Sequence, residues 1–120
     1  MRALVVDDSS AMRAVLGLTL KRQGFTVLQA KDGMEALQAL AAAAPPELIL
    51  IDWNMPGMNG FELLRRIRQQ PALESARVLM VTTETGLERM SDALAEGANE
   101  YIMKPFTPEV VVDKLRMLGL

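Results

Sequence analysis

Short aliphatic runs recur five times along the chain, each followed by a longer stretch whose apolar residues repeat at helical spacing. The runs are Ala3 to Val6, Thr26 to Ala30, Leu48 to Ile51, Val78 to Val81 and Tyr101 to Met103. They read as continuous rather than alternating, the pattern of strands covered on both faces in a parallel sheet. Parallel strands joined through helices by right-handed crossovers give an open, doubly wound α/β sheet with helices on both faces.

Capping chemistry places the helices between these runs. Ser9-Ser10 precede the first, in which Met12, Val15, Leu16 and Thr19 form the inward face before Gly24 ends it. Asp32 with Glu35 opens the second as a capping-box variant, with Met34, Leu37 and Leu40 inward and Pro45-Pro46 beyond its end. Asn59 caps the third, whose inward stripe is Phe61, Leu64 and Ile67 and whose stop is Pro71. Thr85 with Glu88 opens the fourth, with Leu87, Met90 and Leu94 inward and Gly97 as its stop. Thr107-Pro108, a cap followed by proline in the first turn, starts the last.

Composition narrows the function. The 120 residues leave room for one domain, 1–120, and half of them are apolar, enough for a core. A formal charge of -2 lacks the basic excess that nucleic-acid binding draws on, so no nucleic-acid partner is expected. No apolar stretch reaches membrane-spanning length and none at the N-terminus has signal-peptide character, so a cytoplasmic protein without membrane association is expected. The chain has no Cys, which excludes disulfides and thiolate chemistry. It also has no His, which excludes Ser-His triads, imidazole ligands and imidazole acid–base catalysis. Proton or phosphoryl chemistry must then run on carboxylates, lysine, tyrosine or hydroxyls.

In open sheets of this kind ligands bind outside the carboxyl ends of the strands. The residues ending the runs are Asp7-Asp8, Asp52, Thr82 and Lys104. Three carboxylates on one rim repel by roughly 4 kcal/mol per close pair at about 4 Å with an effective dielectric near 20. A hard divalent ion with oxygen ligands, Mg2+, is the natural compensation, and Lys104 adds a fixed positive charge. A metal and a lysine together stabilise a transferring phosphoryl group, and Thr82 can hydrogen-bond one of its oxygens. Asp52, alone at the end of Leu48-Ile49-Leu50-Ile51, is the best acceptor, since an attacking carboxylate needs no general base. Any phosphohistidine donor belongs to another protein.

Four segments carry a resemblance to a known family: Val5-Val6-Asp7-Asp8-Ser9, Ile51-Asp52-Trp53-Asn54-Met55-Pro56-Gly57-Met58, Val81-Thr82-Thr83-Glu84 and Tyr101-Ile102-Met103-Lys104-Pro105-Phe106. With these in order over the whole chain, the sequence resembles two-component response-regulator receiver domains, and specifically their single-domain chemotaxis (CheY-like) form. The resemblance implies a flavodoxin-like (βα)5 fold with strand order 2-1-3-4-5. It implies that Asp8, Asp52 and the backbone carbonyl of Asn54 bind Mg2+, with Asp7 acting through a water. Asp52 would take a phosphoryl group from a histidine kinase, Lys104 and Thr82 would contact it beside Thr83, and the Lys104-Pro105 peptide would be cis.

The same resemblance implies a relay. Thr82 would move toward the phosphate and vacate space into which Tyr101 turns, changing the face from Gly86 to Leu118 for a downstream protein, with the flagellar motor as a candidate. Asn54 and Glu84 would tune loss of the phosphoryl group to water, with a phosphatase as a further partner. On this reading the chain is a monomeric phosphorelay switch that catalyses only its own phosphotransfer and autodephosphorylation; a motor partner, a phosphate-sink role in a branched relay and another protein target all stay open. Two residues depart from the pattern. Asn59 stands where many relatives have Asp, and Thr83 is larger than the residue common there, which would narrow access and slow phosphotransfer.

Taken singly, the same residues have plainer readings. Asp52 is then a strand-end turn residue, Asp7-Asp8 a capping pair, Thr82-Thr83 a β-branched strand end, Lys104 a solvated lysine and Tyr101 a half-buried strand aromatic. Only the combination overrides them. Trp53 has no derivable chemical duty, the Met residues read as core filler, and Arg65, Arg66 and Arg68 read as a solvated face. A phosphohydrolase with an aspartyl nucleophile would want a second Asp where Asn54 stands and a cap over the site. A flavin or nucleotide carrier would want glycine in the first βα loop, which is instead Asp7-Asp8-Ser9-Ser10. The sequence ends on its last helical stretch, so no DNA-binding output is expected.

Overall fold

The computed structural model describes residues 1–83 and 87–120. Strands β1 (Arg2–Val6), β2 (Thr26–Ala30), β3 (Leu48–Asp52), β4 (Arg77–Thr82) and β5 (Glu100–Met103) form one parallel sheet in the order β2-β1-β3-β4-β5. Helices α1 (Ser10–Arg22), α2 (Gly33–Ala42), α3 (Gly60–Arg68), α4 (Leu87–Ala95) and α5 (Pro108–Met117) connect and follow them, with a 3-10 turn at Pro71–Leu73. This is the doubly wound fold and strand order expected. The anticipated Thr85 cap, Glu84 and Gly86 lie outside the described residues.

The continuous apolar strands serve two cores. Leu4, Val6, Ile49, Ile51, Val78 and Met80 face the α2, α3 and α4 side, while Ala3, Val5, Leu48, Leu50, Leu79 and Val81 face α1 and α5. Successive side chains alternate between the two faces, so a strand covered on both sides must be apolar throughout. β2 departs from this: it is an edge strand paired only with β1, and Leu28 is 38% exposed.

The caps form as read. Ser9 Oγ accepts from the Met12 amide at 3.2 Å, Asp32 Oδ1 from Glu35 at 2.8 Å, Asn59 Oδ1 from Glu62 at 2.9 Å and Thr107 Oγ1 from Val110 at 3.4 Å. Gly24 and Gly97, past the ends of α1 and α4, have φ of +94° and +111°, the left-handed region where a Cβ is strained.

The inward faces need correcting by one residue in three helices. Val15, Met34 and Leu94, expected inward, are 50%, 58% and 44% exposed, while Leu20, Ala36 and Ala93 are buried. Two of these three buried residues are alanines.

Arg68 also corrects the sequence reading. It is no solvated arginine: its guanidinium donates to the carbonyls of Gly97 (2.9 Å), Leu73 (3.0 Å) and Ala76 (2.8 Å) and to Asn99 Oδ1 (3.0 Å). It ties the end of α3 to the turn before β4 and the loop before β5. Arg65 and Arg66 do lie on the surface, paired with Glu96 and Glu62. Among the described residues no helix is long and apolar enough to cross a membrane.

Candidate functional site

The strand order reverses at β1, which has β2 on one side and β3 on the other, and this brings the acidic residues together. Val6 of β1 is in register with Ile51 of β3, so Asp7 and Asp52 emerge side by side. Asp52 is in turn level with Val81, and Thr82 with Met103, which places Thr82 and Lys104 on the same rim. Asp7, Asp52 and Thr82 are buried, with 1%, 5% and 2% of their surface exposed, whereas Asp8 is open to solvent.

The two buried carboxylates are held in place. The Ser9 amide donates to Asp7 Oδ1 at 2.9 Å, and Arg13 donates from Nη1 to the Asp7 carbonyl at 2.7 Å and from Nε to Gln29 Oε1 at 3.3 Å. Lys104 Nζ lies 3.2 Å from Asp52 Oδ1 and 3.5 Å from Asp7 Oδ2. The Lys104 amide donates to the Thr82 carbonyl at 2.7 Å, and the Lys104–Pro105 peptide is cis. Burial pushes the Asp52 carboxyl above its ordinary value and the charge of Asp7 pushes it further, while Lys104 pulls it back. Among the described residues, three carboxylates on this rim face the one ammonium of Lys104.

Carboxylate oxygens of Asp7, Asp8 and Asp52 all lie within 4.8 Å of one another. An all-oxygen set, two groups buried and one reachable from solvent, fits a hard divalent cation that keeps part of its hydration shell. Asn54 follows on the exposed loop and donates from Nδ2 to Thr83 Oγ1 at 3.4 Å, so the loops after β3 and β4 touch across the rim. Tyr101 is half-buried beside Met80 on β5, at the sheet edge. The structure thus brings together Asp7, Asp8, Asp52 and Lys104, sets Thr82, Thr83 and Asn54 around them, and keeps Tyr101 one strand away.

Three contributors escaped the sequence reading. Trp53 is buried; its amide donates to the Val81 carbonyl at 2.8 Å, its ring stacks on Phe61 with centroids 5.5 Å apart, and the Arg89 guanidinium sits 5.4 Å above it. Gly60 begins α3 hard against the end of β3: a Cβ there would overlap the Asp52 carbonyl oxygen and lie 2.9 Å from Trp53 Cα. Arg13, with its contacts to the Asp7 carbonyl and Gln29, is the third. A glycine inside a helix start or an arginine one turn into a helix carries no local signal of such contacts.

A family model described as the response regulator receiver domain matches residues 3–116. The chemotaxis protein CheY1 of Helicobacter pylori is 44% identical over 119 residues, covering 98% of this chain and 96% of that protein. A chemotaxis protein CheY homolog of Campylobacter jejuni is 46% identical over 116 residues, 96% of this chain and 89% of that protein. Among solved structures, chemotaxis response regulator CheY4 of Vibrio cholerae superposes with a TM-score of 0.91 at 38% identity, over 98% of this chain and 97% of that one.

Proposed function

This chain belongs to the response regulator receiver family, and we propose that it is a phosphorylation-activated chemotaxis switch whose phosphoryl acceptor is Asp52. The observation that carries the proposal is the single ammonium of Lys104 between the buried carboxylates of Asp52 and Asp7, with Asp8 alongside. That arrangement concentrates negative charge where a phosphoryl donor must approach, and it makes sense only if further positive charge is part of the working site.

Asp8, Asp52 and the Asn54 carbonyl would hold Mg2+, with Asp7 behind them; when bound, the ion supplies the charge that lets an anionic phosphoryl group enter. An Asp52 carboxylate oxygen attacks phosphorus as the bond to the donor's imidazole nitrogen breaks, and that nitrogen keeps the electron pair. Lys104 neutralises charge on the transferring oxygens and Thr82 donates to one of them. Loss of the phosphoryl group to water returns the Asp52 carboxylate, with Asn54 and Glu84 placed by sequence to tune that step and the Asn54–Thr83 contact narrowing the approach.

The chain is a signalling protein rather than a turnover enzyme, and in this reading it catalyses only its own phosphotransfer and dephosphorylation. Thr82 moving to the phosphoryl group opens space for Tyr101, and the face built from α4, β5 and α5 passes the change to a protein partner. The working context is cytoplasmic, with a histidine kinase upstream and a chemotaxis target downstream. Trp53, the only tryptophan, lies next in sequence to the acceptor and provides the test. Its emission is followed as Mg2+ and then beryllofluoride, a phosphoryl mimic, are added. A stepwise change that Asp52→Ala abolishes is expected; no change, or one that survives the substitution, would overturn the reading.

A further inference from the structure

We propose that Lys114 is a latch that holds Tyr101 at the sheet edge and so sets how readily the switch turns on; this rests on the reading that Tyr101 turns inward in the active state. Side chains alternate between the two faces of the sheet along β5. Ile102 packs into the core on the α5 side, whereas Tyr101, one residue earlier, packs against the core on the other face. Lys114 belongs to α5, the layer that Tyr101 faces away from. Because β5 is an edge strand, the lysine can reach around it.

Lys114 Nζ lies 3.1 Å from Glu100 Oε1 and 4.9 Å from the centre of the Tyr101 ring. The same Glu100 oxygen accepts the Tyr101 amide at 3.0 Å, so strand backbone, carboxylate, ammonium and ring form one closed unit. The Lys114 and Glu100 side chains are 23% and 17% exposed, which leaves the contact partly desolvated rather than free in water. A cation over an aromatic face is attracted by the ring quadrupole. An inward turn takes the ring away from Nζ, while Nζ stays bound to Glu100, so the attraction is lost with nothing to replace it. At a partly exposed site this biases the ring outward by a factor of about two to five.

Tyr101 is the only tyrosine in the chain, so protein labelled with 3-fluorotyrosine gives a single fluorine resonance. In wild type, saturation with Mg2+ and beryllofluoride moves that resonance from its outward to its inward position. Lys114→Met and Lys114→Gln keep the stem but lose the charge. Without beryllofluoride both should shift the resonance toward the inward position, and both should lower the half-saturating beryllofluoride concentration by about two- to fivefold. Lys114→Arg, which keeps a cation over the ring, should stay near wild type.

Wild-type positions for both neutral variants overturn the latch, as does a shift in Lys114→Arg as large as theirs. If beryllofluoride leaves the wild-type resonance where it was, the inward turn of Tyr101 falls and the latch falls with it. If the wild-type resonance moves and the neutral variants match it, only the latch falls.

Discussion

Lys104 and Asp52, 52 residues apart in sequence, meet with Nζ 3.2 Å from Oδ1, and the same ammonium reaches Asp7 at 3.5 Å. Lys104 is the one positive influence on an Asp52 carboxyl that burial and Asp7 both push upward. Lys104→Met should therefore raise the Asp52 value further, read by carbon-13 NMR titration of the labelled carboxyl. It should also slow phosphorylation by a small-molecule donor by about a hundredfold or more, the usual cost of removing one preorganised charge from a transferring group. An unmoved carboxyl titration would show that the contact carries no electrostatic weight.

The raised Asp52 value has a definite sign in stability. The folded, metal-free protein holds this proton more tightly than the unfolded chain does, whose Asp titrates near 3.9. Asp52 thus favours folding below about pH 4, and that contribution is lost as pH rises through the folded value. Asp52→Asn does not titrate. It should be more stable than wild type at pH 7, the gap closing as pH falls toward 4, as measured by urea unfolding across pH.

Mg2+ should stabilise the fold by relieving repulsion among Asp7, Asp8 and Asp52. At a hundredfold excess over its Kd the gain is about 2.7 kcal/mol, visible as a rise in Tm that EDTA reverses. Asp8→Asn removes the exposed member and should weaken Mg2+ binding at least about tenfold, cutting the gain by about 1.4 kcal/mol. A Tm rise equal to wild type would exclude Asp8 as a ligand.

Arg68 satisfies three carbonyls and the Asn99 side chain at once. Arg68→Ala should cost about 2 kcal/mol, since four acceptors lose a charged donor at once while Leu73 and Asn99 keep the Ala76 and Val78 amides, and Arg68→Lys should recover only part because a lysine lacks the planar fork. Both are read from chemical denaturation; a loss below about 0.5 kcal/mol would mean water replaces the guanidinium freely.

Gly60→Ala tests how tightly α3 is seated on β3. Its Cβ would overlap the Asp52 carbonyl oxygen, and that neighbour is backbone that cannot swing aside. A loss of about 1–3 kcal/mol is expected, together with altered Trp53 emission, whereas alanine in an open helix position would be neutral or stabilising.

How far the chain could be read depended on the range of each interaction. The strand runs, the caps at Ser9, Asp32, Asn59 and Thr107, and the polar residues ending the strands were all visible, because each rests on neighbours within a few positions. Val15, Met34 and Leu94 were misplaced because helical spacing locates an apolar stripe only to within a residue; rotation of the helix on the sheet settles which side chain goes in. Arg68 looked like surface charge because two of its acceptors, Gly97 and Asn99, lie 29 and 31 residues away.

Alternating periods, capping residues and the supply of carboxylates, lysine and hydroxyls without histidine are properties of the chain itself, and they specify a parallel α/β sheet with an acidic rim. Whether the rim closes into a site is another matter. The reversal of strand order at β1 sets Asp7 beside Asp52, and β5 delivers Lys104 between them. The edge position of β5 is what allows Lys114 to reach Tyr101. These pairings join residues far apart in sequence, held by packing of whole elements, and no short-range pattern encodes them.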